Sequence, residues 1–200
     1  MTRIGVLALQ GDFSEHLTML RSLDVEARAV RLPRDLEDLD GLILPGGEST
    51  TISRLAEAYG LVEPLRAFAE AGKALWGTCA GAIYLARSAP DLDRPTLGLI
   101  DIEVRRNAFG RQIDSFEADL PIAGIEGGPF HAVFIRAPVI EDMGPGVTVL
   151  ARLEDGRIVA VLEGNRLATA FHPELTTDTR LHRYFVALAE GALTRKRGVA

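Results

Sequence analysis

The sequence predicts an α/β fold, with a doubly wound, mainly parallel sheet to which antiparallel strands are added. Short apolar runs at residues 4–9, 41–44 and 73–76 have the length and composition of strands that are buried on both faces. Between these runs, apolar residues spaced three or four positions apart predict helices. Strands that alternate with helices in this way are typical of parallel sheets covered by helices on both sides.

The first half of the chain supplies the parallel part of the sheet. Its apolar runs end at polar or glycine-rich segments, such as Gln10-Gly11 and Gly46-Gly47. Because sites in such sheets lie beyond the carboxyl ends of the strands, we expect these segments to share one edge. In chain order, the predicted elements are a strand at 4–9, a helix carrying Phe13, Leu17 and Leu20, strands at 25–32 and 41–44, helices over 52–59 and 65–69, and a strand at 73–76.

The second half of the chain has a different pattern. Between residues 97 and 171, short runs alternate apolar and polar residues and are separated by glycine and proline turns, which predicts antiparallel strands. Apolar residues over 181–188 recur at helical spacing and predict a final helix. Since no repeat or linker interrupts the chain, we expect a single domain over 1–200, with a frayed basic tail at 194–200.

Composition excludes several classes of function. The net charge of −6 argues against a general affinity for nucleic acid or anionic membranes. No apolar stretch approaches the ~18 residues of a membrane span, and the first apolar run is too short for the core of a signal peptide. A cytoplasmic location is therefore expected. The single cysteine excludes an internal disulfide framework and a multi-cysteine metal site, and we predict no metal and no cofactor.

The segment Gly77-Thr78-Cys79-Ala80-Gly81 joins an apolar run to a helix-forming run. It is the sulfur counterpart of the G-x-S-x-G nucleophile elbow, a strand-to-helix turn that presents a nucleophile. Gly77 would let the turn tighten, and Gly81 would let the helix pack close to the strand. The start of a helix favours the thiolate, which is the reactive form of Cys79. The alternative is that Cys79 is a buried structural cysteine, and the choice between the two roles depends on other residues of the chain.

A cysteine nucleophile needs a base, and the base needs a group that orients it. His172 follows a predicted strand directly, in the sequence His172-Pro173-Glu174. Because Pro173 favours extended backbone at the preceding residue, His172 and Glu174 can point the same way. We predict His172 as the base and Glu174 as its partner.

The other three histidines are assigned no catalytic role. The helical pattern predicts His16 on the exposed side of the first helix. His131 enters a predicted strand and His182 lies on the final helix, and both are interpreted as surface or packed histidines.

Acyl transfer also needs donors for a developing oxyanion. Gly46 and Gly47 follow a buried strand, where glycine-rich backbone can turn N–H groups into a cleft. The same segment is compatible with an ordinary loop and helix cap, with Ser49 or Thr50 as the N-cap, and both interpretations can hold together. The segment matches neither of the usual nucleotide-binding patterns.

Two arginines follow predicted strands. Arg106 continues the apolar face of the alternating run 100–104, and a guanidinium on a buried face needs an anionic partner. That partner is either a substrate carboxylate or a nearby acidic side chain, Glu103 or Asp114. Arg136 ends a later strand and, taken alone, is interpreted as a surface arginine.

The ordered motifs resemble class I glutamine amidotransferases, which carry G-G-E-S, then G-x-C-x-G, then a late H-P-E. The sequences R-N-A-F-G-R-Q at 106–112 and F-I-R-A-P at 134–138 are more specific. With them, the chain is most similar to the glutaminase subunits of pyridoxal 5'-phosphate synthases. The similarity extends over nearly the whole chain, including the Glu15-His16 pair after Gln10-Gly11.

The resemblance implies a flavodoxin-like fold and hydrolysis of L-glutamine to L-glutamate and ammonia. Cys79 would be the nucleophile, His172 the proton shuttle and Glu174 the residue that orients His172. The implied partner is a separate synthase subunit, which combines the ammonia with a pentose phosphate and a triose phosphate, so this chain need bind no pyridoxal phosphate. The residues that the resemblance implies for the glutamine pocket are Gly47, Glu48, Ser49, Arg106, Ile135 and Arg136.

Gln10 is predicted to couple the partner to catalysis. It follows the first strand at the same sheet edge as Cys79, so a docked partner could contact it together with the oxyanion loop at Gly46 and Gly47. Three alternatives remain open: a stand-alone cysteine hydrolase, a non-catalytic binding protein with a sensor cysteine, and a glutaminase that serves another synthase, such as one in histidine biosynthesis.

Overall fold

The structure, a computed structural model, describes residues 1–106 and 115–192. Part of the arginine motif (107–112), Asp114 and the tail at 194–200 lie outside these residues. The strands are β1 (Arg3–Leu7), β2 (Glu26–Val30), β3 (Gly41–Leu44), β4 (Ala74–Thr78), β5 (Ala86–Ser88), β6 (Ile100–Arg105), β7 (Ser115–Leu120), β8 (Phe130–Ile135), β9 (Val139–Met143), β10 (Thr148–Arg152), β11 (Ile158–Glu163) and β12 (Arg166–Thr169).

Five α-helices occur in the described part of the chain. They are α1 (Phe13–Arg21), α2 (Ser49–Ala58), α3 (Val62–Glu70), α4 (Ala80–Leu85) and α5 (Arg180–Ala189). Short 3₁₀ turns lie at Pro33–Leu36 and Pro173–Leu175. No helix within residues 1–106 and 115–192 has both the length and the apolar composition needed to cross a membrane.

The described strands form one large sheet and one small one. The large sheet runs in the order β2-β1-β3-β4-β12-β11-β9-β6-β5, with β10 paired to β11. Strands β2, β1, β3, β4 and β12 are mutually parallel, whereas β11 and β9 introduce antiparallel pairing. This confirms the predicted mainly parallel sheet with added antiparallel strands. β7 and β8 form a separate antiparallel pair.

Two strands of the second half differ from the prediction. The region up to residue 171 was predicted to be antiparallel, but β12 lies parallel to β4 while it pairs antiparallel with β11, and β6 lies parallel to β5 while it pairs antiparallel with β9. The alternating sequence pattern reports which faces are buried and carries no information about the direction of the neighbouring strand.

Two apolar layers cover the sheet. On β4, Leu75 and Trp76 are fully buried and point into different layers, as successive residues of a strand must. Helices α2, α3 and α4 contribute to the layer that contains Leu75, and α1 and α5 contribute to the layer that contains Trp76. Helices on both faces are the doubly wound arrangement that the strand–helix alternation predicts.

The parallel strands bring the predicted site segments to one edge. Gln10 follows β1, Gly46 follows β3, Cys79 follows β4 and His172 follows β12. Because β1, β3, β4 and β12 are parallel neighbours, their carboxyl ends lie side by side. Four segments that are far apart in sequence therefore meet at one edge of the sheet.

Close packing of α4 against the sheet depends on two glycines. A Cβ on Gly81 would overlap the carbonyl oxygen of Leu44 in β3, and a Cβ on Gly77 would overlap the backbone of Gly81. Gly81 has the predicted role, but Gly77 also serves this close approach, and the positive φ of the turn falls on Cys79 itself. Any larger side chain at either glycine would push α4 away from the strands.

We expect Gly81→Ala to destabilise the protein by about 2 kcal/mol or more, because the obstacle is backbone that cannot rotate away. Gly146→Ala is the matched control, since a Cβ there meets only the Glu163 Oε1 atom at 3.6 Å. Urea unfolding of both variants measures the difference. Equal midpoints for the two variants would show that α4 does not depend on this contact.

Candidate active site

Cys79 occupies a strained turn between β4 and α4. Its φ of 47° and ψ of −106° are unusual for a residue with a side chain, and such strain persists only where the surroundings fix it. The Cys79 backbone N–H donates to the Thr169 carbonyl of β12 at 2.8 Å. The side chain is nearly buried, with 6% of the residue exposed. This is the geometry of a nucleophile elbow with sulfur in place of oxygen.

The Cys79 thiol lies against the end of β8. Its Sγ donates to the backbone carbonyl of Ile135 at 3.7 Å. Arg136 follows with a φ of 45°, a second non-glycine residue in the left-handed region next to the same site. This strained corner aims the Ile135 carbonyl at the thiol.

His172 and Glu174 form a buried pair. The His172 backbone N–H donates to the Val133 carbonyl of β8 at 2.8 Å, which fixes the residue after β12. Its Nδ1 lies 2.7 Å from Oε1 of Glu174, and both side chains are buried. Asp12 approaches the same Nδ1 atom, with its Oδ2 at 3.3 Å. His172 Nε2 is buried and makes no hydrogen bond to the described residues, so it remains available to a reacting group.

The electrostatics of the pair favour a charged imidazole. Burial alone would lower the pKa of His172, but interactions with Asp12, Cys79 and Glu174 outweigh burial and raise it well above its ordinary value. Burial raises the pKa of Glu174, and the contact with His172 opposes that rise. The two groups therefore stabilise each other as imidazolium and carboxylate.

The glycine loop after β3 lies between His172 and Gln10. A Cβ on Gly46 would overlap the imidazole of His172, and a Cβ on Gly47 would overlap Oε1 of Gln10. Gln10 Oε1 accepts a hydrogen bond from the backbone N–H of Glu48 at 2.6 Å. Only glycine fits at these two positions, and Gln10 holds the far end of the loop.

Glu48 is the N-cap of α2, where the sequence predicted Ser49 or Thr50. Its carboxylate accepts from the backbone N–H groups of Thr50 and Thr51 at 3.0 and 2.7 Å. Burial would raise the pKa of Glu48, but the hydrogen bonds from Thr51 and Thr50 lower it to about 2. Ser49 is the first residue of α2 and is buried.

Arg106 reaches Glu48 rather than either of the acidic residues predicted for it. Arg106 Nη2 lies 3.4 Å from Oε1 of Glu48, and its Nη1 donates to the Asp91 carbonyl at 3.2 Å. Glu103 instead accepts from the Ser88 hydroxyl, and Asp114 lies outside the described residues. Sequence distance misled the prediction because Glu48 and Arg106 are 58 residues apart in sequence and meet only in the folded chain.

Most of the predicted site residues come together. Contacts connect the Ile135 carbonyl, Cys79, His172, the glycine loop, Gln10, Glu48 and Arg106 into one continuous set. Arg136 is exposed, and within residues 1–106 and 115–192 no polar contact joins its side chain to this set.

Comparisons with known proteins agree with this geometry. A model of the SNO glutamine amidotransferase family matches residues 6–190. The chain belongs to that family. It is 61% identical over 191 residues to the pyridoxal 5'-phosphate synthase subunit PdxT of Deinococcus radiodurans, covering 93% of this chain and 96% of the relative. It is 56% identical over 187 residues to PdxT of Roseiflexus sp. (strain RS-1), covering 92% of this chain and 99% of the relative.

A solved structure supports the same assignment. The crystal structure of a glutamine amidotransferase matches this fold with a TM-score of 0.88 at 55% identity, covering 94% of this chain and 98% of the other. These matches confirm the resemblance stated for the sequence, and the chain is a glutamine amidotransferase subunit.

The prediction for the position of His16 in this amidotransferase is wrong. His16 was predicted on the exposed side of α1, but it is fully buried. Its Nε2 lies 3.3 Å from Oε2 of Glu174, and its Nδ1 lies 2.9 Å from Nε2 of the equally buried His182. The helical pattern failed because α1 packs directly over the 3₁₀ turn after β12, so polar residues of α1 face a polar site.

Asp12 is the site residue that sequence reasoning missed. The sequence feature that could have identified Asp12 is its position immediately after Gln10-Gly11, at the carboxyl end of β1. His131, by contrast, lies on the exposed face of β8, with its ring nitrogens 3.0 and 2.9 Å from Glu117 and Asp119.

We expect stability to fall as the pH drops below about 6.5. Burial lowers the pKa of His182 to about 3, so below 6.5 the unfolded chain binds a proton that the folded chain excludes. His182 then contributes a loss of up to roughly 1.4 kcal/mol per pH unit. In urea titrations at pH 4.5, 5.5 and 6.5, His182→Leu should show a shallower dependence than wild type.

His131→Gln is the control for this experiment. Its carboxylate partners raise the pKa of His131, so it is protonated in both the folded and the unfolded chain below pH 6. Its removal should leave the slope below pH 6 unchanged. A wild-type slope in His182→Leu would contradict the assignment of a neutral buried histidine.

Proposed function

We propose that the chain hydrolyses glutamine to glutamate and ammonia through Cys79, His172 and Glu174. The ammonia passes to a synthase subunit that makes pyridoxal 5'-phosphate. The buried contact of 2.7 Å between His172 Nδ1 and Glu174 Oε1, beside the strained Cys79 turn, carries the proposal. The names of the relatives at 56–61% identity support this use of the ammonia.

The proposed reaction proceeds in two halves. His172 takes the proton of the Cys79 thiol as the sulfur attacks the side-chain amide carbon of glutamine, and it delivers that proton to the nitrogen as the C–N bond breaks and ammonia leaves. Water then attacks the resulting thioester while His172 Nε2 takes its proton. The C–S bond breaks, glutamate leaves and the Cys79 thiol is restored. Glu174 keeps the other nitrogen of His172 protonated throughout.

The glycine loop supplies the proposed oxyanion donors. Gly46 lies against His172, so backbone N–H groups of Gly46-Gly47 would lie close to the carbon that Cys79 attacks. The loop is held on both sides, by the Asp12 N–H at the Gly46 carbonyl and by Gln10 at the Glu48 N–H, and Gly47 lies between these two contacts.

Glu48 and Arg106 are the proposed recognition residues for the amino-acid end of glutamine. Glu48 is ionised at neutral pH and suits the ammonium group, and the Arg106 guanidinium suits the carboxylate. Their contact of 3.4 Å places opposite charges next to each other, as a zwitterion requires. Gly47, Ser49, Ile135 and Arg136 complete the proposed pocket.

The triad is tested by substitution under synthase-activated conditions. Cys79→Ala and Cys79→Ser should abolish glutamate release, and His172→Ala should lower kcat by several orders of magnitude, since one residue acts as base and acid. Glu174→Gln should cost roughly 10- to 10⁴-fold, because orientation degrades while the base remains. His131→Gln, which removes an exposed histidine, should keep the wild-type rate. Turnover in Cys79→Ala would eliminate this mechanism.

The partner is tested by adding the synthase subunit to the isolated chain and measuring glutamate release. We expect weak activity alone and activation of about 10²- to 10³-fold, the scale of one completed oxyanion donor. Gln10→Ala should lose more activation than stability, because Gln10 contacts the loop at Gly47 and Glu48. Cys79→Ala serves as the blank, and urea midpoints report folding.

The outcome also separates the remaining alternatives. Full activity without a synthase would favour a stand-alone hydrolase, whereas activation only by a different synthase would reassign the partner. If oxidation of Cys79 changed the function of the protein while His172→Ala had no effect on it, a sensor protein would be favoured. The cytoplasmic location and the single-domain organisation remain predictions.

A further inference from the structure

A row of buried polar side chains lies behind the proposed triad. His182, His16 and Glu174 connect α5, α1 and the turn after β12, and each is 5% exposed or less. The distance from His182 Nε2 to His16 Nδ1 is 2.9 Å, and the distance from His16 Nε2 to Glu174 Oε2 is 3.3 Å. The row continues through Glu174 Oε1 to His172.

We propose that His16 is a positioning residue, whose Nε2–H holds the second carboxylate oxygen of Glu174 while His172 holds the first. The proposal rests on the triad proposed above and extends it by one residue that does not touch the substrate. Glu174 Oε2 is buried, makes no aligned hydrogen bond within the described residues, and lies 3.3 Å from His16 Nε2.

The contacts fix the tautomer of His16. Burial keeps both His16 and His182 neutral, because it lowers the pKa of each, and every neutral imidazole carries one N–H. If His16 carried its proton on Nδ1, the lone pair of Nε2 would face the Glu174 carboxylate. The proton therefore lies on Nε2, and Nδ1 accepts from the Nε2–H of His182.

Two further observations agree with this direction. His182 Nδ1, which must then be unprotonated, is a buried atom without a partner in the described chain, and an unmet acceptor is tolerated better than an unmet N–H. Thr78 Oγ1 also lies 3.3 Å from His16 Nε2, so one N–H serves both the hydroxyl and the carboxylate. The Glu174 oxygen lies off the N–H axis, and its contact with His16 is mainly electrostatic.

A neutral donor suits this position. A cation at His16 would compete with the imidazolium of His172 for Glu174, whereas a neutral N–H stabilises the carboxylate and leaves it to His172. The charged or titratable groups that face the pair are Asp12, which lies 3.3 Å from His172 Nδ1, and Cys79. Loss of the His16 donor should therefore make Glu174 a poorer anion and His172 a weaker base.

The test measures glutamate release by the chain with its synthase subunit, from pH 6 to 10. His16→Leu removes the donor and keeps an apolar side chain of similar size, whereas His16→Gln retains a side-chain N–H. We expect His16→Leu to lower kcat about 10- to 100-fold, the range for partners that orient a functional side chain, with glutamine KM nearly unchanged. In His16→Leu, the alkaline limb of the pH profile of kcat/KM should move to a pH about one unit lower. His16→Gln should recover part of the lost kcat and part of this shift.

Phe185→Leu is the matched control for lost packing. Phe185 is fully buried and packs on Trp76, whose ring also meets His16 edge-on, so the variant opens a cavity in the same layer without removing a polar group. It should lower the urea midpoint but leave kcat and the pH profile unchanged. A wild-type kcat and pH profile in His16→Leu, or the same losses in Phe185→Leu, would overturn the positioning role.

Two results keep this proposal separate from the triad. Inactive wild-type protein, or turnover by Cys79→Ala, would contradict the proposed function itself, whereas Cys79-dependent activity with a silent His16→Leu would overturn only the role of His16. If His16→Leu does not fold, the tautomer is read from the wild-type protein by ¹H–¹⁵N correlation of its imidazoles at pH 7. A proton on His16 Nε2 supports the proposal, and a proton on Nδ1 refutes it.

Discussion

The contact between α4 and β3 is the constraint on which the site depends. Because Gly81 has no Cβ, the first turn of α4 lies against the Leu44 carbonyl, and the chain must reverse within one residue. That residue is Cys79, whose strained backbone is held by its N–H bond to Thr169 and by the packing of α4. Strain at Cys79 is thus sustained by hydrogen bonding and packing of the surrounding sheet.

Burial sets the chemistry of the groups around this turn. An isolated buried carboxylate would take up a proton, yet Glu174 has the imidazole of His172 at 2.7 Å and the Nε2 atom of His16 at 3.3 Å. The proposed order is a cation at His172, an anion at Glu174 and a neutral donor at His16, so one positive charge faces the carboxylate and Oε2 has an electrostatic contact without an aligned hydrogen bond. Asp12 adds a second acceptor on the solvent side of His172. Removal of His172 would leave the Glu174 carboxylate buried without a cation beside it, so the stability of each group depends on the other.

Local sequence patterns were sufficient for the parallel half of the fold and for three residues of the proposed triad that the structure brings to one sheet edge. Apolar runs fixed the strands, and a turn motif with a late H-P-E indicated Cys79, His172 and Glu174 because their chemistry depends on near neighbours. The partner of Arg106, the N-cap role of Glu48 and the burial of His16 were not predictable in this way. Each depends on which elements meet across the sheet, and hydrophobic periodicity treats a histidine on α1 as exposed whether its neighbour is water or a buried carboxylate.

The thiol contact with Ile135 bears on how such a site is regulated. In the free chain Cys79 donates to a backbone carbonyl, while His172 Nε2 makes no hydrogen bond to the described residues. Cys79 and His172 interact closely enough to raise the pKa of His172, and the glycine loop is held on one side by the Asp12 N–H at the Gly46 carbonyl and on the other by Gln10 at the Glu48 N–H. Under the proposed mechanism, the thiol leaves the Ile135 carbonyl as its sulfur attacks glutamine, and backbone movements at this edge are a route by which the proposed partner would act. Preformed charges beside a thiol held by a backbone carbonyl fit the proposed coupling of ammonia release to a synthase subunit.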